Sequence, residues 1–138
     1  LIGESTAERG KTKIGSAMED SEHLQMQIKG RDVTEGMSRS IVIGSDEIYV
    51  AINDALQRIV RAIRETLENT PPELSADIFE RGMVIAGGGA LLRDMDRRLM
   101  QETGLPVVVA EDPLTCVARG CGRALEEIAV LGDVFASE

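Results

Sequence analysis

The order of apolar periods along the chain predicts an α/β protein, with a βαβα half-domain toward the C-terminal end and a small α+β subdomain inserted before it. Three observations carry this. Residues 83–86 and 107–109 are short apolar runs, each followed by a helical period, and that order implies parallel strands with a right-handed crossover. From Ser45 onward, Ile48, Ile52, Leu56, Ile59, Ile63 and Leu67 recur at steps of three or four, the strongest helical signal in the chain. Aromatic residues make up only 2%, so the core must be aliphatic, which suits helices packed on a sheet.

Residues 6–17 read as a short helix: Ser5 and Thr6 offer caps, Glu8 comes early, and Lys11 and Lys13 come late, as the helix dipole favours. Gly10 in its middle costs about 1 kcal/mol relative to Ala. Leu24, Met26 and Ile28 then alternate with Gln25, Gln27 and Lys29, the pattern of a half-buried strand. Gly30, Asp32 and Gly36 mark turns, and residues 38–43 supply a second strand, antiparallel to the first.

Ser45-Asp46-Glu47 opens the long helix, whose other side carries Arg58, Arg61, Arg64, Glu65 and Glu68 and which Pro71 and Pro72 terminate. A short helix from Pro72 through Glu80 stops at Gly82. After strand 83–86, Gly87-Gly88-Gly89 turns into a helix over 90–103 with Leu92, Met95 and Leu99 facing inward, stopped by Gly104. Strand 107–109 leads through Asp112-Pro113 into a final helix over about 115–130. The expected division is a small α+β subdomain at 1–75 and a βαβα half-domain at 76–138.

Fifteen basic against 24 acidic residues give a net charge of −9, which argues against a nucleic-acid surface built from clustered Lys and Arg. No apolar run is long enough to span a membrane and no basic amphipathic leader is visible, so a cytoplasmic location without membrane insertion is expected. Cys116 and Cys121 fall on different faces of one helix and read as two free thiols packed as small apolar residues. His23 has no nucleophile or carboxylate motif around it and is assigned no catalytic role. The first residues, Leu1-Ile2-Gly3-Glu4, read as though cut from a longer protein.

Three consecutive glycines after an apolar strand permit a sharp turn and leave no Cβ between main chain and ligand, while a following helix would present free N–H groups there. Such a turn suits a phosphate or a nucleoside. The stretch lacks the third glycine of the dinucleotide fingerprint, and the chain has no GxxxxGK[ST] loop. Spacing alone therefore weighs a bland tight turn equally with a ligand site.

The flanking motifs add to this. Val84-Ile-Ala-Gly-Gly-Gly-Ala-Leu-Leu92, Glu102-Thr-Gly-Leu-Pro-Val-Val-Val-Ala110 and Asp112-Pro-Leu-Thr-Cys-Val-Ala-Arg-Gly120 resemble the MreB family of bacterial actin homologues, which maintain rod shape. Upstream, Gly3-Glu-Ser-Thr-Ala-Glu-Arg9 and Thr66-Leu-Glu-Asn-Thr-Pro-Pro-Glu-Leu74 match the same family in the same order, so the resemblance covers essentially the whole chain. It implies half of an actin-like ATPase fold, with a ribonuclease H-like βαβα unit.

In that family ATP lies between two domains and the second holds the adenosine. The resemblance implies that Gly87, Gly88 and Gly89 face the adenosine and α-phosphate, and that Glu8 and Lys11 reach the ribose and the adenine edge. Glu8, Lys11, Thr12 and Gly15 share one helical face, so the geometry allows it; an ordinary Glu–Lys surface pair is the alternative. Gly10 stands where the family usually has a branched apolar residue.

The family's phosphate loops, Mg2+-binding carboxylates and water-positioning group have no counterpart here, so no catalytic or metal residue is assigned and ATP hydrolysis is expected only of the longer parent. The parent is expected to self-associate into filaments, to lie at the inner face of the cytoplasmic membrane, and to meet a transmembrane partner of the elongation machinery. The Met26/Ile28 strand and the Arg face of the long helix are candidate filament contacts. The alternative function is the nucleotide-binding half of a sugar-kinase-like enzyme.

Overall fold

The computed structural model describes residues 1–128. Helix α1 (Glu4–Ile14) precedes a hairpin of β1 (Gln25–Arg31) and β2 (Ser38–Gly44) and the long helix α2 (Ser45–Glu68). Helix α3 (Pro72–Arg81), strand β3 (Met83–Ile85), a 3-10 turn at Gly88–Leu91, helix α4 (Met95–Thr103), strand β4 (Val107–Val109) and helix α5 (Cys116–Glu126) follow.

The hairpin is antiparallel and in continuous register from Gln25 opposite Gly44 to Arg31 opposite Ser38. Its alternation is as expected: Ile28 is buried and Met26 half-buried, while Gln25, Gln27 and Lys29 face solvent. Ile28 is only 2% exposed, so it belongs to the interior and offers no filament contact. At the turn, Asp32 Oδ1 accepts the N–H groups of Thr34 at 2.9 Å and Glu35 at 3.3 Å, and Oδ2 accepts from Arg39 at 3.1 Å. The Thr34 N–H above all, then Arg39 and the Glu35 N–H, hold the Asp32 carboxyl below the usual carboxylate range.

Strands β3 and β4 pair in parallel, Met83 opposite Val107 and Ile85 opposite Val109, with α4 in the crossover between them. One face of this pair joins α2 and α4 in a core of Ala17, Leu56, Val60, Met95, Leu99 and Val107, with Ile52, Ile63, Met83, Ile85 and Leu92 packed against it. Gly82 holds φ +74 at the end of α3, and a Cβ there would lie 2.2 Å from the Pro106 carbonyl oxygen, so only glycine admits this approach of α3 to β4.

Several expectations need correcting. In α2 the core position is Val60, whereas Ile59 is 43% exposed; both lie at the margin of the apolar stripe, and the neighbouring α4 and β4 decide which turns inward. The helix expected over 90–103 is interrupted. The 3-10 turn ends in extended backbone at Leu92, Asp94 is left-handed at φ 59, and α4 starts only at Met95, so its N-terminal dipole does not point from the glycines. The first helix likewise ends at Ile14 rather than 17, because Gly15 is extended and Ser16 forms a parallel bridge with Arg93.

Arg64, on the face offered above as a filament contact, is engaged within the fold: its guanidinium donates to the Glu102 carbonyl at 2.6 Å and carboxylate at 2.8 Å, fastening α2 to the end of α4. The cysteines are free, yet Cys116 is half-buried and Cys121 exposed, since α5 buries no residue among those described; they are not packed as core. The expected end of this helix near 130 lies outside the described residues. His23 is exposed beside Asp46, 3.3 Å away.

Candidate functional site

Strand β3 delivers the chain into the glycine turn. Gly87 has φ 82 and ψ 176, a conformation essentially reserved for glycine, and its N–H donates to the Pro113 carbonyl at 2.8 Å. That bond ties the turn to the loop before α5. Gly88 and Gly89 then open the 3-10 turn as exposed residues, with Leu114 beside Gly88 and open space at Gly89.

Facing the turn is α1. A groove of about 600 Å³ separates the two, within the range of small-molecule sites. Glu8, Lys11 and Thr12 line it from α1, Gly88 and Gly89 from the turn, and Leu56 and Ile59 from α2; Leu91, Leu92, Met95 and Leu114 complete its apolar wall. Four of the five expected site residues therefore converge, although some 80 positions separate them in the chain. Gly87 does not line the groove; its part is conformational.

Lys11 Nζ lies 2.7 Å from Glu8 Oε2, and both side chains stay substantially exposed, 44% and 59%. The Thr12 hydroxyl is spent within the helix, donating to the Glu8 carbonyl at 3.0 Å. The polar edge of the groove is thus a pre-paired carboxylate and ammonium, opposite a stretch of bare glycine backbone. The residues that the sequence reading missed are the apolar ones, Ile59, Leu91 and Leu114, exposed large side chains at 43%, 56% and 66%. Ile59 did stand in the apolar stripe, but nothing local distinguished a groove-lining position from a core one.

Among the described residues no cluster of three or more His, Cys, Asp or Glu side chains has the geometry to hold a metal ion.

A helix and a glycine-turned parallel strand pair flanking one groove, with a hairpin beside them, make up part of an actin-like α/β fold. The crystal structure of MreB5 of Spiroplasma citri bound to ADP matches at a TM-score of 0.87 and 36% identity, over 99% of this chain and 41% of that one. The structure of MreB 5 of the same organism bound to AMPPNP matches at 0.86 and 39% identity, over 94% and 39%.

The chain belongs to the MreB/Mbl family, whose model, described as MreB/Mbl protein, matches residues 1–133. It is 56% identical over 139 residues to the cell shape-determining protein MreB of Escherichia coli K12, covering all of this chain and 40% of that protein. To the cell shape-determining protein Mbl of Bacillus subtilis it is 46% identical over 128 residues, 93% of this chain and 38% of that protein. The chain spans about 40% of the length of the curated MreB relatives it matches. This membership does not favour the sugar-kinase alternative.

Proposed function

We propose that this chain supplies the adenosine-side wall of an ATP or ADP site in an actin-like filament protein that determines cell shape. The observation that carries the reading is the convergence of Glu8 and Lys11 with Gly88 and Gly89 on one groove. Residues 1–75 bring the base-side helix and residues 76–138 the glycine turn. The names of the relatives support the cell-shape role, and the ADP and AMPPNP of the structural neighbours support the ligand class.

The residues fit such a ligand. A carboxylate such as Glu8 can accept from two vicinal ribose hydroxyls, and the Lys11 ammonium can donate to the acceptor edge of the base. Gly88 and Gly89 let the base and α-phosphate lie against main chain, and Ile59, Leu91 and Leu114 offer the apolar surface that a purine buries. Bound nucleotide would supply the phosphoryl chemistry; the phosphate loops and the Mg2+ ligands belong, on this reading, to the portion of the relatives outside the match.

Self-association into filaments, contact with a transmembrane partner of the elongation machinery and a place at the inner face of the cytoplasmic membrane belong to the same proposal. No helix among the described residues is long and apolar enough to cross a membrane.

The test is Gly88→Val in the intact gene product. A Cβ at this position would meet only Leu114 Cδ2, at an ordinary 3.5 Å, so the turn should tolerate the change while the groove is obstructed. Calorimetric titration should show ADP affinity falling by about tenfold or more, equivalent to about 1.4 kcal/mol. Unchanged affinity refutes the assignment. Negative-stain microscopy of the unsubstituted protein with ATP should show filaments.

A further inference from the structure

The two walls of the groove are joined at their roots by a junction that the proposed contacts do not use. Ser16, two residues beyond α1, is 1% exposed, and its hydroxyl lies 2.5 Å from the Ser21 hydroxyl and 3.2 Å from Asp94 Oδ2. The Ser21 hydroxyl donates to the same carboxylate oxygen. Asp94 sits between the glycine turn and α4, in left-handed backbone at φ 59, a conformation that only a few non-glycine residues adopt readily. Beside it, Ser16 and Arg93 form a parallel bridge, the Ala17 N–H donates to the Arg93 carbonyl at 2.8 Å, and Arg93 Nη2 donates to the Glu22 carbonyl at 2.9 Å.

We propose that Asp94 is a positioning residue for the nucleotide site, setting the spacing between α1, which carries Glu8 and Lys11, and the glycine turn. The inference rests on the function proposed above. Its physical content is leverage. Asp94 hydrogen-bonds neither Glu8 nor the glycines, but its carboxylate anchors the linked Ser16–Ser21 hydroxyl pair of the segment that leaves α1. Its main chain, in turn, is the bend by which the turn enters α4. A carboxylate acceptor makes such bonds stronger than a neutral one would. Ligand-binding groups must be held within a fraction of an ångström of their productive geometry, which is the task of the shell behind them.

The experiment is a double-mutant cycle in the intact gene product, read by calorimetric ADP titration, with melting of the ligand-free protein alongside. Asp94→Gly removes the carboxylate yet keeps left-handed backbone comfortable, so the fold survives. It should weaken ADP binding by about tenfold. Asp94→Asn retains an acceptor oxygen and a tolerance for this backbone, and should restore affinity to within about threefold of the original. Glu8→Gln should cost affinity in the original background and markedly less in Asp94→Gly, because Glu8 is then already displaced; residues that do not touch otherwise give additive effects.

ADP affinity unchanged in Asp94→Gly overturns the inference, and so do losses from Asp94→Gly and Glu8→Gln that multiply independently. A lowered melting temperature with intact affinity overturns it as well, leaving Asp94 a stabilising residue only. Absence of ADP binding by the unsubstituted protein overturns both this inference and the function on which it rests, whereas the other outcomes refute this one alone.

Discussion

Gly10 is the residue where helix propensity and packing pull apart most plainly. It lies buried in the middle of α1, and a Cβ there would rest 3.5 Å from Ile43 Cδ1 and 3.6 Å from Ile48 Cδ1, ordinary contact distances. A methyl group therefore fits without displacement. Gly10→Ala should stabilise the protein by about 1 kcal/mol through helix propensity and the reduced freedom of the unfolded chain. Thermal denaturation followed by circular dichroism should show a rise of a few degrees.

Residue-level legibility follows the same division between local and distant causes. Glu8 and Lys11 could be placed on one face because three positions along a helix fix their relation, and the structure finds them 2.7 Å apart. Asp94 read as an ordinary helical residue, because the hydroxyls around its carboxylate come from Ser16 and Ser21, 78 and 73 positions away.

At the scale of elements, the hairpin makes a pH prediction. The Asp32 carboxyl titrates below its ordinary value of 3.8 because its ionised form accepts the Thr34 N–H and faces Arg39. A carboxyl whose folded pKa is depressed contributes its stability fully above the unfolded value. That contribution is lost as the pH falls below 3.8 and through the lowered folded pKa. Protection of the Thr34 and Glu35 amides, taken relative to the intrinsic exchange rate at each pH, should fall on that descent, whereas in Asp32→Asn it should stay constant over the same interval.

Helix α4 makes a second prediction. Leu99 is 1% exposed at the centre of the core, and Leu99→Ala should cost about 3 kcal/mol in chemical denaturation. The stripe that placed Leu99 inward was legible, as were the strand alternation and the proline and glycine stops. The break between the 3-10 turn and α4 was not, because residues 90–103 carry no proline or internal glycine to announce it. Its cause is the bridge from Ser16 to Arg93, a pairing between segments that nothing in either one specifies.

For the molecule as a whole, the distribution of exposed apolar surface fits a chain that spans about 40% of its relatives' length. Parallel strands are normally covered on both faces, yet Val84 and Val108 on β3 and β4 are 68% and 58% exposed, and Val117 on α5 is 75% exposed. Nucleotide hydrolysis requires phosphate and metal contacts on the far side of the ligand as well as the adenosine wall. The 138 residues alone should therefore release no phosphate from ATP above a buffer control in a continuous phosphate assay; turnover above that control would overturn the division of labour proposed here. By itself the sequence determined the element order, the antiparallel hairpin, the parallel strand pair and the residues to watch, because periodicity, turn chemistry and helical spacing act over a few positions. Only the tertiary structure decided that Glu8 and Lys11 face Gly88 and Gly89 across one groove, that Val60 and not Ile59 turns inward, and that Asp94 clasps the two walls, because each depends on packing between segments far apart in the chain.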